Sequence, residues 1–256
     1  MTSMLTEERR SAIVTLLHEN GRVQVAELSK RFNTSSVTIR TDLKELHQRG
    51  LVFKSHGGAI LPNLVTGEPS LYEKAAEHAA EKVRIGAAAA DLVRDGETII
   101  LDAGSTTFEI ARRIKDRQQL TVITNGINIA NELAGFRGIQ IILLGGVLRH
   151  GSRSIVGHFA EEMLAQLTAD KLFMAADGCT LEFGVSTPKF EESRINQAMV
   201  SISREKHLTA DSSKFGRNSL SRIVSLWEMD CVITDDNLPG EYADEIRSHG
   251  LQLILV

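Results

Sequence analysis

The sequence predicts an α/β protein in two parts: a small N-terminal winged helix-turn-helix and a larger α/β domain with a largely parallel sheet. Three observations carry that expectation. Residues 34–46 (TSSVTIRTDLKEL) sort at about 100° per residue into one apolar and one polar face. From residue 98 onward, short apolar or β-branched runs alternate with helical stretches. The charge changes sign along the chain, with nine Lys/Arg against six Asp/Glu in residues 1–58 and twenty against twenty-seven in residues 59–256.

Residues 6–20 are predicted to form an amphipathic helix with Ile13, Leu16 and Leu17 on one face, ended by Gly21 at the C′ position. A shorter helix over 25–32 turns Val25, Leu28 and Phe32 inward and stops at Asn33. In the third helix Ser35 is the N-cap, with Thr38 three residues on, and Ile39, Leu43 and Leu46 make the buried stripe. Val37, Arg40, Thr41, Lys44 and Gln48 fall opposite. Two cations, a hydroxyl, an amide and a methyl-rich side chain are what a DNA major groove asks for. Val37, Thr38 and Ile39 are β-branched, so packing rather than propensity must hold this helix. Residues 50–58 (GLVFKSHGG) alternate enough for a strand pair closed by two glycines, a wing that would put Lys54 and His56 at the phosphate backbone. The expected contacts to double-stranded DNA are Ser35, Ser36, Val37, Thr38, Arg40, Thr41, Lys44, Lys54 and His56. An excess of three positive charges over residues 1–58 is modest and favours binding as a dimer or higher oligomer.

Composition narrows the remaining classes. A chain of 256 residues, 42% hydrophobic, can build one small and one medium domain. Cys179 and Cys231 stand apart with no CxxC, and the eight histidines are scattered, so neither a metal nor a cofactor is expected. Isolated cysteines, a polar start after Met1 and no apolar run of membrane-spanning length lead to a cytoplasmic expectation. Ser152, Ser154 and His158 lack the G-x-S-x-G surround of a catalytic elbow and read as a surface segment entering a helix. Trp227 and Phe173 read as core or oligomer contacts.

Residues 59–70 hold two of the four prolines and no helical period, and read as a linker between a 1–58 domain and a 71–256 domain. An alanine-rich helix is expected over 72–93. Strands are expected at 98–101, 121–123, 139–144, 172–175, 207–210, 231–234 and 251–255. Helices are expected at 106–114, 127–132, 159–167, 190–204 and 241–249. Ligands bind at the carboxyl ends of such strands, and here those ends repeat one polar theme. Asp102, Gly104, Ser105, Thr106 and Thr107 open a helix after the first strand, where hydroxyls and helix N–H groups would donate to an anion. Thr124 and Asn125, Gly145 and Gly146, Asp177 and Gly178, and the run from Asp211 to Lys214 follow at later ends. Phosphate donors, a cation and carboxylates suited to hydroxyls together describe a site for a phosphorylated sugar or polyol.

At this point the chain resembles the DeoR family of bacterial sugar-metabolism regulators. ERRSAIVTLLHENGRVQVAELSKRFNTSSVTIRTDLKELHQRGLVFKSHGGA is similar to its N-terminal signature, and DAGSTTFEIA, TNGINIA, LLGGVLR, ADG and ADSSKFGR look like its effector domain. The nearest subgroup by eye regulates amino-sugar and hexitol operons, such as those for N-acetylgalactosamine, galactitol and glucitol. The resemblance implies a repressor of a sugar operon, released from operator DNA by a phosphorylated sugar. It also implies a homo-oligomer (dimer or tetramer), and an effector domain similar to the ribose-5-phosphate isomerase fold. Glu192, in the stretch GVSTPKFEESR, joins the expected effector contacts; Lys189 and Phe190 stand where relatives tend to carry Asn and an acidic residue. A sugar-phosphate isomerase fused to a DNA-binding domain is the rival reading. Against it, the isomerase loop resembles DGAD, whereas this chain has Asp177-Gly178-Cys179-Thr180, and a hydroxyl cannot replace a carboxylate base at neutral pH. A purely architectural DNA-binding protein would not need a polar site on so large a domain.

Overall fold

The structure, a computed structural model, describes residues 5–55, 57–60 and 69–256. His56 and residues 61–68 of the expected linker lie outside the described residues. The chain divides into two compact units, Met1–Lys74 and Ala75–Val256.

The first unit contains α1 (Thr6–Asn20), β1 (Arg22–Gln24), α2 (Val25–Arg31), α3 (Ser36–Gln48), β2 (Phe53–Ser55) and β3 (Gly58–Ile60). Ile13, Leu16, Leu17, Val25, Leu28, Ile39, Leu43 and Leu46 meet in one buried cluster, and Phe32 packs against it partly exposed. Gly21 takes φ 71° and its N–H donates to the Leu17 carbonyl at 2.8 Å, closing α1 as glycine at that position allows. The wing has one strand more than the sequence suggested. Its order is β1-β3-β2, and β3 runs two residues into the expected linker. Three residues of alternating polarity are too few to signal a strand; β1 exists because β3 pairs with it. Gly58 makes that pairing close, since a Cβ there would lie 1.9 Å from the Val23 carbonyl oxygen.

Asp42 is the charged residue on the buried side of α3. It is 1% exposed and accepts from Arg9 Nε at 2.7 Å and Arg10 Nε at 3.1 Å, tying α3 to α1. Arg49, at the far end of α3, reaches Glu7 at 3.0 Å as well as Glu45, so the two helices are joined twice.

The expected helix over 72–93 is two helices, α4 (Leu71–Ala76) and α5 (Ala79–Asp91). They are separated at His78, whose φ of 50° lies in the left-handed region that interrupts a helix. Ser70 and Glu73 form a reciprocal cap on α4: Glu73 N–H donates to Ser70 Oγ at 3.3 Å, and Ser70 N–H to Glu73 Oε2 at 2.6 Å.

The remaining elements of the second unit, in chain order, begin with β4 (Thr98–Leu101), α6 (Ser105–Ala111), β5 (Leu120–Thr124), α7 (Ile127–Leu133), β6 (Ile139–Leu143), β7 (Val147–Arg149), β8 (Ser154–Val156) and α8 (His158–Leu164). Then follow β9 (Ala169–Met174), β10 (Gly178–Thr180), β11 (Gly184–Thr187), α9 (Phe190–Ser201), β12 (Ser203–Thr209), β13 (Ser221–Val224), β14 (Cys231–Thr234), α10 (Gly240–Ser248) and β15 (Gln252–Leu255). The seven expected strands form one sheet, order β15-β14-β12-β9-β4-β5-β6, and every adjacent pair is parallel. Both faces are covered. Ile100, Leu172, Leu208 and Val232 enter one core, and Ile99, Leu101, Phe173, Cys231 and Ile233 the other. This is why the strands read as unbroken apolar runs. Each fully buried Ile or Leu contributes about 1.5–3 kcal/mol. Phe173 is fully buried, whereas Trp227 is partly buried and stacks on His249 with centroids 3.8 Å apart. Gly86 lets α5 and α6 approach, since a Cβ there would stand 2.5 Å from Glu109 Cβ.

Two small sheets were not foreseen. β7 and β8 form an antiparallel hairpin, and β10, β11 and β13 a three-stranded antiparallel sheet. Ser154, expected in a surface segment, is therefore a strand residue and 2% exposed. No helix among the described residues is long and apolar enough to cross a membrane.

Removing Asp42 would leave two arginines facing a buried vacancy. Asp42→Ala should cost the first unit about 3–5 kcal/mol, read in urea unfolding of the full chain. A change below about 1 kcal/mol, the worth of an exposed pair, would show that Asp42 does not hold α1 to α3.

Candidate functional site

In the first unit the expected contact residues stand on one face of α3. Ser35 Oγ accepts from Thr38 N–H at 3.1 Å and lies 2.9 Å from Thr38 Oγ1, so these two hydroxyls cap the helix. Ser36, Val37, Arg40, Thr41, Lys44 and Gln48 are exposed, Val37 by 67%. Thr41 Oγ1 donates to the Val37 carbonyl at 3.0 Å, which leaves its oxygen as an acceptor. Lys54 is exposed on β2. His56, also expected here, lies outside the described residues. Sequence reasoning missed His47, whose ring pairs with the Val52 carbonyl at 3.0 Å and meets Phe53 edge-on at 5.6 Å, joining α3 to the wing.

In the second unit the parallel sheet brings its strand ends to one edge. Asp102 follows β4 and is 5% exposed; its carboxylate accepts from Ala175 N–H at 3.3 Å, beyond β9, and faces Asn196 of α9. Burial, reinforced by the neighbouring Glu192 and Asp177 carboxylates, pushes Asp102 up to about 8. It is therefore largely protonated at neutral pH. Thr187 Oγ1 lies 3.4 Å from Asp177 Oδ2 and 3.2 Å from Glu192 Oε2. Glu192 Oε1 receives the Ser154 hydroxyl at 3.0 Å and pairs with Arg149 of the β7–β8 hairpin. Asp102, Asp177 and Glu192 thus converge, with Arg149 among them. Arg149, Ser154, Thr187 and Asn196 were not foreseen. They come from elements that only tertiary pairing defines, although the acidic pair Glu191-Glu192 in the first turn of α9 was a visible signal.

Several expected ligand groups are engaged in holding the edge together. Thr107 Oγ1 donates to the Asp102 carbonyl at 2.6 Å. Thr124 Oγ1 donates to the Leu101 carbonyl at 2.6 Å and accepts from Gly126 N–H at 3.0 Å. Asn125 accepts from Ala103 N–H at 2.8 Å and donates to the Ile155 carbonyl at 3.3 Å, clamping β8 against the end of β5. Thr106 is buried, and Ser105 is half-buried at the start of α6. Gly104 caps α6 where a side chain would meet Ala175 Cβ at 2.8 Å. Gly145 and Gly146 are exposed at the entry to β7, and Gly178 is buried at the start of β10.

Lys214 belongs to a second group, at the ends of β12 and β14. Lys82 of α5 pairs with Asp211 at 3.3 Å, both side chains under 5% exposed. Burial lowers Lys82, and the charge of Lys214 adds to that effect against the attraction of Asp211. Burial pushes Asp211 up, but the Ser213 hydroxyl and the Lys82 and Lys214 charges outweigh it and hold the carboxyl below its ordinary value. Asp235, bonded by Ser212 N–H at 2.6 Å and Ser212 Oγ at 2.8 Å, braces the loop that carries Lys214. Lys82 was missed because it lies more than a hundred residues before its partner.

Thr180, which stands where an isomerase-like loop would carry its second carboxylate, donates its hydroxyl to Asn218 Oδ1 at 2.8 Å and accepts from Phe183 N–H at 3.1 Å. Cys179 and Cys231 are buried free thiols, raised by desolvation to about 12 and about 11. No group of three or more His, Cys, Asp or Glu among the described residues is arranged to hold a metal ion. A groove of about 450 Å³ between α9 and β13 gathers no such cluster of charges; the chemistry lies at the strand ends.

Residues 77–236 match the DeoR C terminal sensor domain, and residues 9–64 the DeoR-like helix-turn-helix domain. A protein of Escherichia coli O157:H7 named as an aga operon transcriptional repressor is 38% identical over 98% of this chain and 94% of its own length. The glycerol-3-phosphate regulon repressor of Escherichia coli strain K12 is 32% identical over 98% of this chain and 100% of its own. Ribose 5-phosphate isomerase from Plasmodium falciparum superposes on 54% of this chain and 54% of its own, at a TM-score of 0.40 and 19% identity. With both family domains present in order and full-length relatives above 30% identity, the chain belongs to the DeoR family of DNA-binding transcriptional regulators.

Proposed function

We propose that this regulator represses a sugar-catabolic operon, of the amino-sugar or hexitol kind, and leaves its operator when a phosphorylated sugar occupies the strand-end site. The convergence of Asp102, Asp177, Glu192 and Arg149 carries this reading, with Lys214 and the first turn of α6 on the same edge. Carboxylates suit sugar hydroxyls, and cations with helix N–H groups suit a phosphate. The protein acts in the cytoplasm as a homo-oligomer, which sets two recognition helices at the spacing of two half-sites. It catalyses no reaction; the Thr180 hydroxyl, spent on Asn218, supports that part. The effector acts by binding the DNA-incompetent arrangement more tightly, and lowers operator affinity by that difference. Thermal-shift screening of sugar phosphates against the unphosphorylated sugars tests the reading. Stabilisation by the phosphorylated forms is expected; equal stabilisation by free sugars would remove the phosphate from the site.

Arg40→Ala should weaken operator binding at fixed salt while fold and assembly stay intact. Lys44→Ala or Lys54→Ala should each reduce the slope of log affinity against log salt by about 1. Wild-type affinity in Arg40→Ala would take Arg40 off the contact surface.

Lys214→Ala should bind operator normally yet resist release. The loss of one charged hydrogen bond is worth about 1.5–3 kcal/mol, or about ten- to a hundred-fold in effector affinity. Superimposable release curves for the two proteins would exclude Lys214 from the site.

Effector affinity should also fall as pH rises from 7 to 9. Asp102 is largely neutral below about 8 and charged above it, so it then repels an anionic ligand. A phosphate ester, with its second pKa near about 6, is already doubly charged across that range. Asp102→Asn should flatten the profile, and a wild-type affinity constant from pH 7 to 9 would show that Asp102 does not face the ligand.

A further inference from the structure

Glu192 occupies a setting made for an oxyanion. Its Oε1 lies against the Arg149 guanidinium and 3.0 Å from the Ser154 hydroxyl, and its Oε2 lies 3.2 Å from Thr187 Oγ1. One guanidinium and two hydroxyls are the donors that bind phosphate or carboxylate groups. The three donors come from separate places, β7, β8 and β11, and meet at this carboxylate; Thr187 Oγ1 also lies 3.4 Å from Asp177 Oδ2, and Ser154 Oγ 2.7 Å from Ser152 Oγ. Their backbone is fixed: Ile155 N–H donates to the Asn125 carbonyl at 2.8 Å and Ile127 N–H to the Arg153 carbonyl at 3.2 Å, so β8 is held against the end of β5. The Arg149 and Glu192 side chains are 19% and 12% exposed, enough desolvation to strengthen the pair and enough access for exchange.

We infer that Arg149, Ser154 and Thr187 form an oxyanion-binding position at which Glu192 is an internal occupant, displaced when an anionic group of the effector enters. The inference rests on the reading of the strand ends as an anion site and assigns to Arg149 a binding role there. The position is distinct from that of Lys214. Lys214 follows β12, whereas the hairpin sits at β5, three strands away in the sheet, roughly 14 Å at the usual strand spacing. Glu192 then sets the threshold: the tighter its hold on Arg149, the more effector is needed.

The test is a thermodynamic cycle on the full-length protein, with inorganic phosphate as the probe and thermal shift as the readout. Glu192→Gln takes the negative charge away from Arg149 and should tighten phosphate binding about ten-fold. Arg149→Ala should weaken it about ten- to a hundred-fold. Should Arg149→Ala leave Glu192 buried without its cation and fail to fold, Arg149→Lys and the double variant Arg149→Ala/Glu192→Gln carry the cycle. Arg149→Lys keeps the charge but not the planar fork, and should be intermediate. In the double variant phosphate should bind no better than in Arg149→Ala, because Glu192 acts by occupying Arg149. Equal tightening by Glu192→Gln with and without Arg149 would mean that Glu192 merely repels anions, and would overturn the inference. So would unchanged phosphate binding in Arg149→Lys and in the double variant, while sugar phosphates still released operator and the wider reading stood. No phosphate response in wild type or Glu192→Gln, with no sugar-phosphate response either, would overturn both.

Discussion

Seven strands of one sheet run the same way, so every carboxyl end lies on one edge. That constraint organises the second unit. The loops that leave those ends turn over the edge before returning along a face, and they carry Asp102, Asn125, Asp177, Asp211 and Asp235 into one neighbourhood. An antiparallel sheet would have sent alternate loops to opposite edges. The polar residues are therefore gathered by a backbone rule, at no cost to either apolar face. The two cores that clamp the sheet supply the stability, and the edge is left to carry charge.

The edge divides its polar groups between holding and offering. Thr107, Thr124 and Asn125 bind backbone atoms of neighbouring loops, and their orientation serves rigidity. Burial of Asp102, with the Glu192 and Asp177 carboxylates beside it, pushes its carboxyl up to about 8, and a proton is held there at neutral pH. Like charges brought this close are seldom useful to a scaffold. They become useful when a ligand with many hydroxyls or a negative group must be recognised with a strong dependence on its charge. Arg149 counters that charge at Glu192, while Lys82 pairs with Asp211 beside Lys214 at the ends of β12 and β14.

In the first unit the same division appears on one helix. α3 has an apolar stripe, an exposed polar face and, on the buried side, Asp42 bound to Arg9 and Arg10. The β-branched start of α3 resists helix formation locally, and the cap at Ser35 with the packing of Ile39, Leu43 and Leu46 overcomes it. Fixing the middle and the C-terminal end of α3 to the start of α1 keeps its exposed face at a set angle, as base readout in a groove requires.

The sequence by itself determined what repeats with a period. The stripes of α1 to α3 were legible because helical spacing places each residue on a face. The seven strands were legible because strands buried on both sides must be apolar throughout. The polar residues just after those strands followed from the same reading, since their positions relative to the apolar runs are fixed along the chain. What the tertiary structure decided has no such period. β1, the β7–β8 hairpin and the β10–β11–β13 sheet are strands of three or four residues that exist through pairing, and their composition says little. The break at His78 depends on one backbone angle that the alanine-rich run does not announce. The partners Arg149–Glu192, Lys82–Asp211 and Arg9–Asp42 lie tens to more than a hundred residues apart, and only folding sets them within reach of each other. Local periodicity is written into a chain because each turn of helix or strand is built from neighbours. A site assembled from distant loops is written only in the fold that brings them together.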